Sequence, residues 1–319
     1  MADYDEGTES NRLSGAGDAD WTRSGLGGGR SIREAYAEAI QWLKARGVQD
    51  PAANAELLLQ GLLGWSRTQL LLNWSEPFPE EEMGLQWQQW LGRKALGEPA
   101  QYILGEQTFY GLPFHVGPEV LVPRPETELL VERVLALGQQ LWPEPGAAPA
   151  LGDVGTGSGC ISVTVAAGRP QWRVYGSDIS APALETARRN AARHGARVEW
   201  LEGDLLEPYV AGGIDLDMLV SNPPYIPAGD MAGLQPEVQL YEPHLALVGG
   251  EDGLVLYRRL ADELRRLPRL PQLVAFEVGQ GQADQVLALL RGVHAWQQSE
   301  IVPDLAGIQR HVIVYDRSR

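Results

Sequence analysis

Cysteine is almost absent from this chain, with one residue, Cys160, in 319. A lone thiol cannot build an internal disulfide framework, and such scarcity fits a reducing, cytoplasmic compartment. Histidine is sparse as well. The five histidines are scattered, with no H-x-x-x-H or Cys/His cluster, so neither a zinc site nor any other metal is expected. No apolar run approaches the roughly 20 residues that cross a bilayer, and no membrane partner is expected. Basic residues are outnumbered: 26 Lys and Arg face 42 Asp and Glu, for a net charge of −16 and a pI near 4.8. Affinity for nucleic acid is built largely from Lys and Arg on phosphates, so no direct nucleic-acid partner is expected, whereas a basic protein surface would be attracted. The arginines at 188, 189 and 193, and at 258, 259, 265 and 266, fall on predicted helices, where a solvated face accounts for them. Residues 1–30 lack an apolar h-region, and their acids argue against a transit peptide, so a disordered tail is expected there.

What the chain does have is concentrated in two motifs. Residues 214–220, apolar apart from Asp215 and Asp217, read as a strand that leads through Ser221 into Asn222-Pro223-Pro224-Tyr225. Consecutive prolines fix φ and remove two backbone N–H donors, so the turn is rigid and presents acceptors. The side-chain carbonyl of Asn222 and the backbone carbonyl of Pro223 can each accept one N–H, while Tyr225 offers a flat face. Such a corner suits a planar –NH2 group, in an amide or an exocyclic amine. A proline-stiffened loop with no ligand is the plainer reading of the same residues.

Upstream, Leu151-Gly152-Asp153-Val154-Gly155-Thr156-Gly157-Ser158-Gly159-Cys160 reads as a strand, a glycine turn and a helix opening near Cys160. Alternate glycines let backbone approach a ligand without Cβ clashes. Cys160 and Ser162 stand where a dinucleotide motif needs its third glycine, and no Lys-Ser/Thr pair completes a P-loop. Asp178 follows a strand over 172–177, placed to accept both ribose hydroxyls of a nucleoside. Asp204 follows a strand over 197–201, placed to meet an adenine amino group. Asp153, Asp178 and Asp204 all fall at strand carboxyl ends, where open α/β sheets bind ligands. An acidic crevice attracts a sulfonium cation and repels pyrophosphate, which favours S-adenosylmethionine over a nicotinamide dinucleotide.

Length and pattern suggest two domains. Residues 31–100 read as a helical domain of four or five helices. Ser31 and Glu34 form a capping box, Ser66 and Gln69 another, and Asp50-Pro51 reads as an N-cap followed by proline at N1. Met83, Trp87, Trp90 and Leu91 mark one buried helix face. A connector over 101–122 contains a β-hairpin. From 123 to 319, strands and helices alternate as in a doubly wound, mostly parallel α/β sheet. Thr127 and Glu128 either cap the helix that follows Pro125 or roof the ligand pocket. The long excursion over 226–253 reads as a lid or substrate rim.

Together these residues resemble the N5-glutamine methyltransferases that modify peptide chain release factors. The resemblance runs from about Ser31 to the C-terminus and is carried by Tyr102-Ile103-Leu104-Gly105, Phe109-Tyr110-Gly111, Pro123-Arg124-Pro125-Glu126-Thr127-Glu128, the glycine turn, Asn222-Pro223-Pro224-Tyr225, Tyr241-Glu242-Pro243 and Glu277-Val278-Gly279. Leu205 stands where some members carry an aromatic residue, and Gly307-Ile308-Gln309-Arg310 is less polar than usual. The resemblance implies a seven-stranded methyltransferase sheet and a helical domain that helps recognise the release factor. It implies that Gly155, Thr156, Gly157, Ser158, Gly159, Asp178, Asp204, Leu205 and Asn222 hold S-adenosylmethionine. It implies further that Asn222, Pro223, Pro224 and Tyr225 hold the glutamine, with Asn222, Pro223 and Tyr225 at the chemistry. Two rivals share these motifs: an amino methyltransferase acting on adenine in DNA or RNA, and a non-catalytic scaffold of the same fold.

Overall fold

Ser31 and Glu34 do form a reciprocal capping box, and it opens helix α1 (Ile32–Ala45). The computed structural model describes residues 29–317; the tail expected over 1–30 lies, but for its last two residues, outside them. Helices α2 (Pro51–Leu63), α3 (Arg67–Leu72), α4 (Glu80–Ala95) and α5 (Ala100–Leu104) follow. Ser66 and Gln69 make the second capping box. Asp50 does not cap α2 with its side chain. It adopts a left-handed conformation (φ 46), and the Asn54 amide bonds the carbonyls of Gln49 and Asp50 instead. Trp87 and Leu91 are fully buried against Leu58, Leu59 and Ile103, with Met83 and Trp90 packed at the edge of that cluster.

Strands β1 (Glu106–Phe109) and β2 (Leu112–His115) form the hairpin. Tyr110 and Gly111 both have positive φ (51 and 75), as a two-residue turn matched to strand twist requires. Phe109 and Phe114 leave the hairpin at a 6.0 Å edge-to-face contact and enter the core of the sheet domain.

That domain runs α6 (Pro125–Leu141), β3 (Ala150–Val154), α7 (Cys160–Gly168), β4 (Arg173–Asp178), α8 (Ala181–His194), β5 (Val198–Glu202), α9 (Glu207–Ala211), β6 (Met218–Ser221), α10 (Pro236–Tyr241), α11 (Val255–Leu264), β7 (Leu273–Glu277), α12 (Ala283–Val293), β8 (Gln298–Pro303) and β9 (Gln309–Tyr315). The seven strands lie in the order β5-β4-β3-β6-β7-β9-β8, with β7·β9 and β9·β8 antiparallel and the other pairs parallel. Every residue of β3, β6 and β7 is buried, because helices cover both faces. Alternate residues divide between two cores: Leu151, Val220 and Ala275 meet α6 and α7, whereas Leu219, Val274 and Phe276 meet α11 and α12. The strand expected from residue 214 begins only at Met218. Ile214 N–H is spent on the carbonyl of Tyr209, and the Asp217 carboxylate bonds Ala150 N–H and Arg269. No helix among the described residues is long and apolar enough to cross a membrane.

The segment after β6 carries α10 between two 3-10 turns (Ala228–Gly233 and His244–Ala246), and it is fastened to the helical domain. Lys94, fully buried, pairs with Glu237; Tyr241 Oη donates to the carbonyl of Leu96 (3.1 Å); Gln235 Nε2 donates to Gln49 Oε1 (3.1 Å).

Gly138 on α6 gives one test of the packing. A Cβ there would lie 2.3 Å from Cη2 of the buried Trp172. Alanine favours a helix over glycine by about 1 kcal/mol, but overpacking costs about 1–3 kcal/mol. Gly138→Ala is therefore expected to lower the urea midpoint with an unchanged m-value; a raised midpoint would contradict this packing.

Candidate active site

Strands β3 and β6 are neighbours, yet the chain leaves them in opposite directions, through β4 and β5 on one side and β7 on the other. Such a switch point opens a crevice beyond the strand carboxyl ends. The glycine turn follows β3 and Asn222 follows β6. Val154 is registered on Ser221, whose Oγ donates to the Val154 carbonyl (2.6 Å). Two motifs distant in sequence are thus brought to one place by a single strand pair.

A cavity of about 280 Å³ lies there. Its wall takes Gly155, Thr156, Gly157 and Ser158 from the turn, Asp178, Asp204 and Leu205 from beyond β4 and β5, and Asn222 and Pro224 from beyond β6. Three expected site residues are not on this wall. Gly159 (φ 79) turns the chain into α7, and a Cβ on it would lie 3.1 Å from that of Ala187, so it serves packing. Pro223 is buried, and it enters the proposal below only through its backbone carbonyl. Tyr225 packs with the α11 and α12 core; its carbonyl accepts from Gln282 Nε2 (2.9 Å), and burial pushes its phenol up to about 12.

Local geometry explains several of the wall residues. Gly155 (φ 70) and Gly157 (φ 55) are left-handed, and a Cβ on either would project into open space. Asp178 accepts Gly157 N–H and Ser180 N–H, both at 2.9 Å, one on each oxygen. Among the described residues no cation pairs with it, and burial raises its carboxyl pKa against the pull of those N–H groups. Asp204 is engaged differently, its Oδ2 accepting from Arg259 Nη2 at 2.9 Å. Leu205 is left-handed (φ 47), a conformation that costs a residue with a Cβ roughly 1–2 kcal/mol.

Asp153 does not belong to the acidic crevice. It is fully buried under the glycine turn, its Oδ2 accepting from Thr156 Oγ1 (2.6 Å) and Ser162 N–H (3.1 Å) while Oδ1 has no partner. Burial pushes its pKa up to about 6, and those hydrogen bonds oppose the rise. It braces the turn from below. Cys160 opens α7 as expected but reaches the cavity wall, and burial pushes its thiol up to about 12.

Five other wall residues were not among the expected site residues: Glu119, Arg124, Ile179, Leu245, which stands in the excursion read as a lid or substrate rim, and Arg259. Arg259, read as part of a solvated face, instead bridges Asp204 and Glu263. Arg124 donates to the buried Glu242 (2.5 Å), tying the entry to α6 to the residue just after α10. Burial raises the Glu242 carboxyl, and the Arg124 charge opposes it.

The choice left open for Thr127 and Glu128 is decided by their contacts. Neither caps α6, which has no side-chain cap. Glu128 accepts the Tyr110 N–H of the hairpin turn (2.9 Å). Thr127 lines the cavity; its Oγ1 donates to Glu277 Oε2 (2.7 Å) and accepts from Asn222 Nδ2 (3.3 Å). Glu277 is 1% exposed, and burial pushes its carboxyl up to about 7 against the Thr127 bond. Sequence offered one hint, an acid ending an otherwise apolar strand. Among the described residues no three His, Cys, Asp or Glu side chains group as a metal site.

Two family models match the chain: one described as PrmC N-terminal domain over residues 34–105, one as Methyltransferase small domain over residues 128–234. A release factor glutamine methyltransferase of Moorella thermoacetica is 42% identical over 289 residues, covering 90% of this chain and 99% of that one. Its namesake in Bacillus anthracis is 40% identical over 281 residues, covering 88% and 98%. That of Bacillus subtilis is 38% identical over 283 residues, covering 89% and 97%. Among solved structures, the hMettl16 catalytic domain in complex with MAT2A 3'UTR hairpin 6 aligns with a TM-score of 0.52 at 14% identity, covering 72% of this chain and 82% of that one, a likeness of fold alone.

Proposed function

The chain belongs to the release factor glutamine methyltransferases, and from that premise we propose how its cavity methylates the side-chain amide nitrogen (N5) of the glutamine in the Gly-Gly-Gln motif of peptide chain release factors. The observation that carries the proposal is Asn222: it shares one cavity with the glycine turn, and its Nδ2 is already engaged by Thr127, which leaves Oδ1 for a ligand.

The wall suits S-adenosylmethionine on three counts. Gly155 and Gly157 keep open the space a Cβ would fill. Asp178 has spent one acceptor position of each oxygen on backbone N–H, so each retains another for a ribose hydroxyl. Leu205 and Ile179 offer apolar surface for a flat ring. When bound, this donor supplies a methyl group on a positively charged sulfur.

The protein's own contribution is to hold the amide. A carboxamide nitrogen is a weak nucleophile because its lone pair is delocalised into the carbonyl. Asn222 Oδ1 and the Pro223 carbonyl accept its two N–H bonds, aim the nitrogen and stabilise the positive charge that grows on it. Tyr225 backs the corner, and Pro224 closes its cavity side. No strong base is needed, since the surplus proton is lost to water afterwards.

The helical domain is assigned to recognition of the release factor. Through Lys94, Leu96 and Gln49 it holds α10, so a protein docked on it lies beside the cavity rim. The net charge of −16 supports a protein substrate over a nucleic acid. A reaction on release factors also assigns the enzyme to the cytoplasm. Incubated with labelled donor, a release factor and DNA, the enzyme is expected to label one glutamine only, as mass spectrometry will show. Label on adenine, or none on the release factor, would overturn the proposal.

A further inference from the structure

We infer that Glu277, acting through the Thr127 hydroxyl, is a positioning residue that fixes which end of the Asn222 amide faces the cavity. The inference rests on the proposal that Asn222 accepts a substrate N–H. An asparagine amide can turn over about its last bond, exchanging acceptor for donor at nearly equal cost unless its partners forbid it. Here they forbid it in one direction. An ionised Glu277 only accepts, so the Thr127 proton must point at Oε2 (2.7 Å). The Thr127 oxygen is then left as an acceptor, and the Asn222 atom beside it (3.3 Å) must be Nδ2. Oδ1 is thereby turned to the ligand. The chain is built from α6, β6 and β7, which meet only in the folded sheet domain.

The reverse state is defined by the same logic. A protonated Glu277 donates to Thr127, whose own proton is freed to point at Asn222 and attract Oδ1. The cavity would then meet an NH2 group where an acceptor is required. The groups around Glu277 set when this occurs: Glu126 and Thr127 on α6, Asn222 after β6, Tyr225 beyond it, Cys160 on α7, Tyr257 on α11, and Arg310 and His311 on β9. Tyr257 Oη donates to the Glu277 backbone carbonyl (2.6 Å). His311, registered opposite Glu277, has its imidazole pushed down to about 4 by burial and stays neutral. Burial, with Glu126 adding to it, favours the neutral acid; the Thr127 hydrogen bond, the Arg310 charge and a weaker interaction with the Asn222 amide favour the ionised one, and the balance lies at about 7.

Thr127→Val, which keeps shape and removes the hydroxyl, is expected to lower kcat roughly 10- to 100-fold with donor Kd and release factor KM within about twofold of wild type. Thr127→Ser restores the hydroxyl and should recover most of the loss. Wild-type kcat should fall as pH drops from about 8 to about 6, and Glu277→Gln, which cannot titrate, should lack that acid limb. Unchanged kcat in Thr127→Val, or the same limb in Glu277→Gln, would overturn the inference. Orientation is also read without turnover. In protein labelled with 15N-asparagine, the Asn222 side-chain NH2 should exchange slowly in wild type and in Thr127→Ser, and rapidly in Thr127→Val. Wild type that leaves release factor unmethylated but protects this NH2 would defeat the functional proposal alone; exchange equal in all three would defeat the positioning role alone.

Discussion

Alanine at position 222 is expected to cut kcat by about 10²- to 10³-fold, the scale seen when one preorganised polar contact to a charge-developing atom is deleted. The substitution removes one of two acceptors proposed for the glutamine NH2 and also releases Thr127 from its second partner. The nitrogen then samples orientations in which its lone pair misses the donor carbon, and positive charge grows without an adjacent dipole. Donor affinity should change by no more than about twofold, because the glycine turn and Asp178 stand on β3 and β4 and their bonds do not involve Asn222. Single-turnover methylation at saturating donor, paired with calorimetry of donor binding, separates the two quantities. Wild-type turnover in this variant would end the proposed mechanism.

Asp178→Ala should show the opposite profile: donor Kd raised on the order of 10²-fold, kcat at saturation lowered far less. Hydrogen bonds to a charged group contribute about 1.5–3 kcal/mol each, and two ribose hydroxyls would lose theirs. The carboxylate also holds Gly157 N–H and Ser180 N–H, so its loss unpins the turn and the start of α8. Part of the weakening would therefore come from a loosened cradle. Calorimetry reads the sum; an unchanged Kd would remove Asp178 from the donor site.

The parts of this site that were legible in sequence are those written in contiguous residues. Asn222-Pro223-Pro224-Tyr225 and the alternate glycines each encode their backbone locally, and an alternation of strands and helices implies that their ends converge. Ser180, with proline two residues on, is a local signal of the same kind, and in the fold it accepts the Ala183 N–H as the N-cap of α8. What stayed hidden depends on distance or on the direction of a side chain. Asp153 and Asp178 look alike at strand ends, yet Asp153 is turned under the glycine loop because Thr156 and Ser162 offer it two donors there. Arg259 looks like any helix-surface arginine until Asp204 is brought to it from beyond β5. Glu277 and Thr127 stand on separate elements and become partners only when α6 packs on β7. Asp50 misled for a different reason: proline at the next position suits a helix start, but the left-handed backbone of Asp50 leaves its side chain without a cap bond.

The paired prolines after Asn222 have an outcome for substrate choice. Neither carries an N–H, so beyond Asn222 the corner has carbonyls to show and no backbone donor at either residue. Glutamate is nearly the same shape as glutamine, but it would bring oxygens, and a negative charge, where the pocket has oxygens. Sites that lose a required donor in this way discriminate by about 10⁴-fold. A release factor whose glutamine has deamidated with age would be passed over, leaving the methyl donor for intact chains.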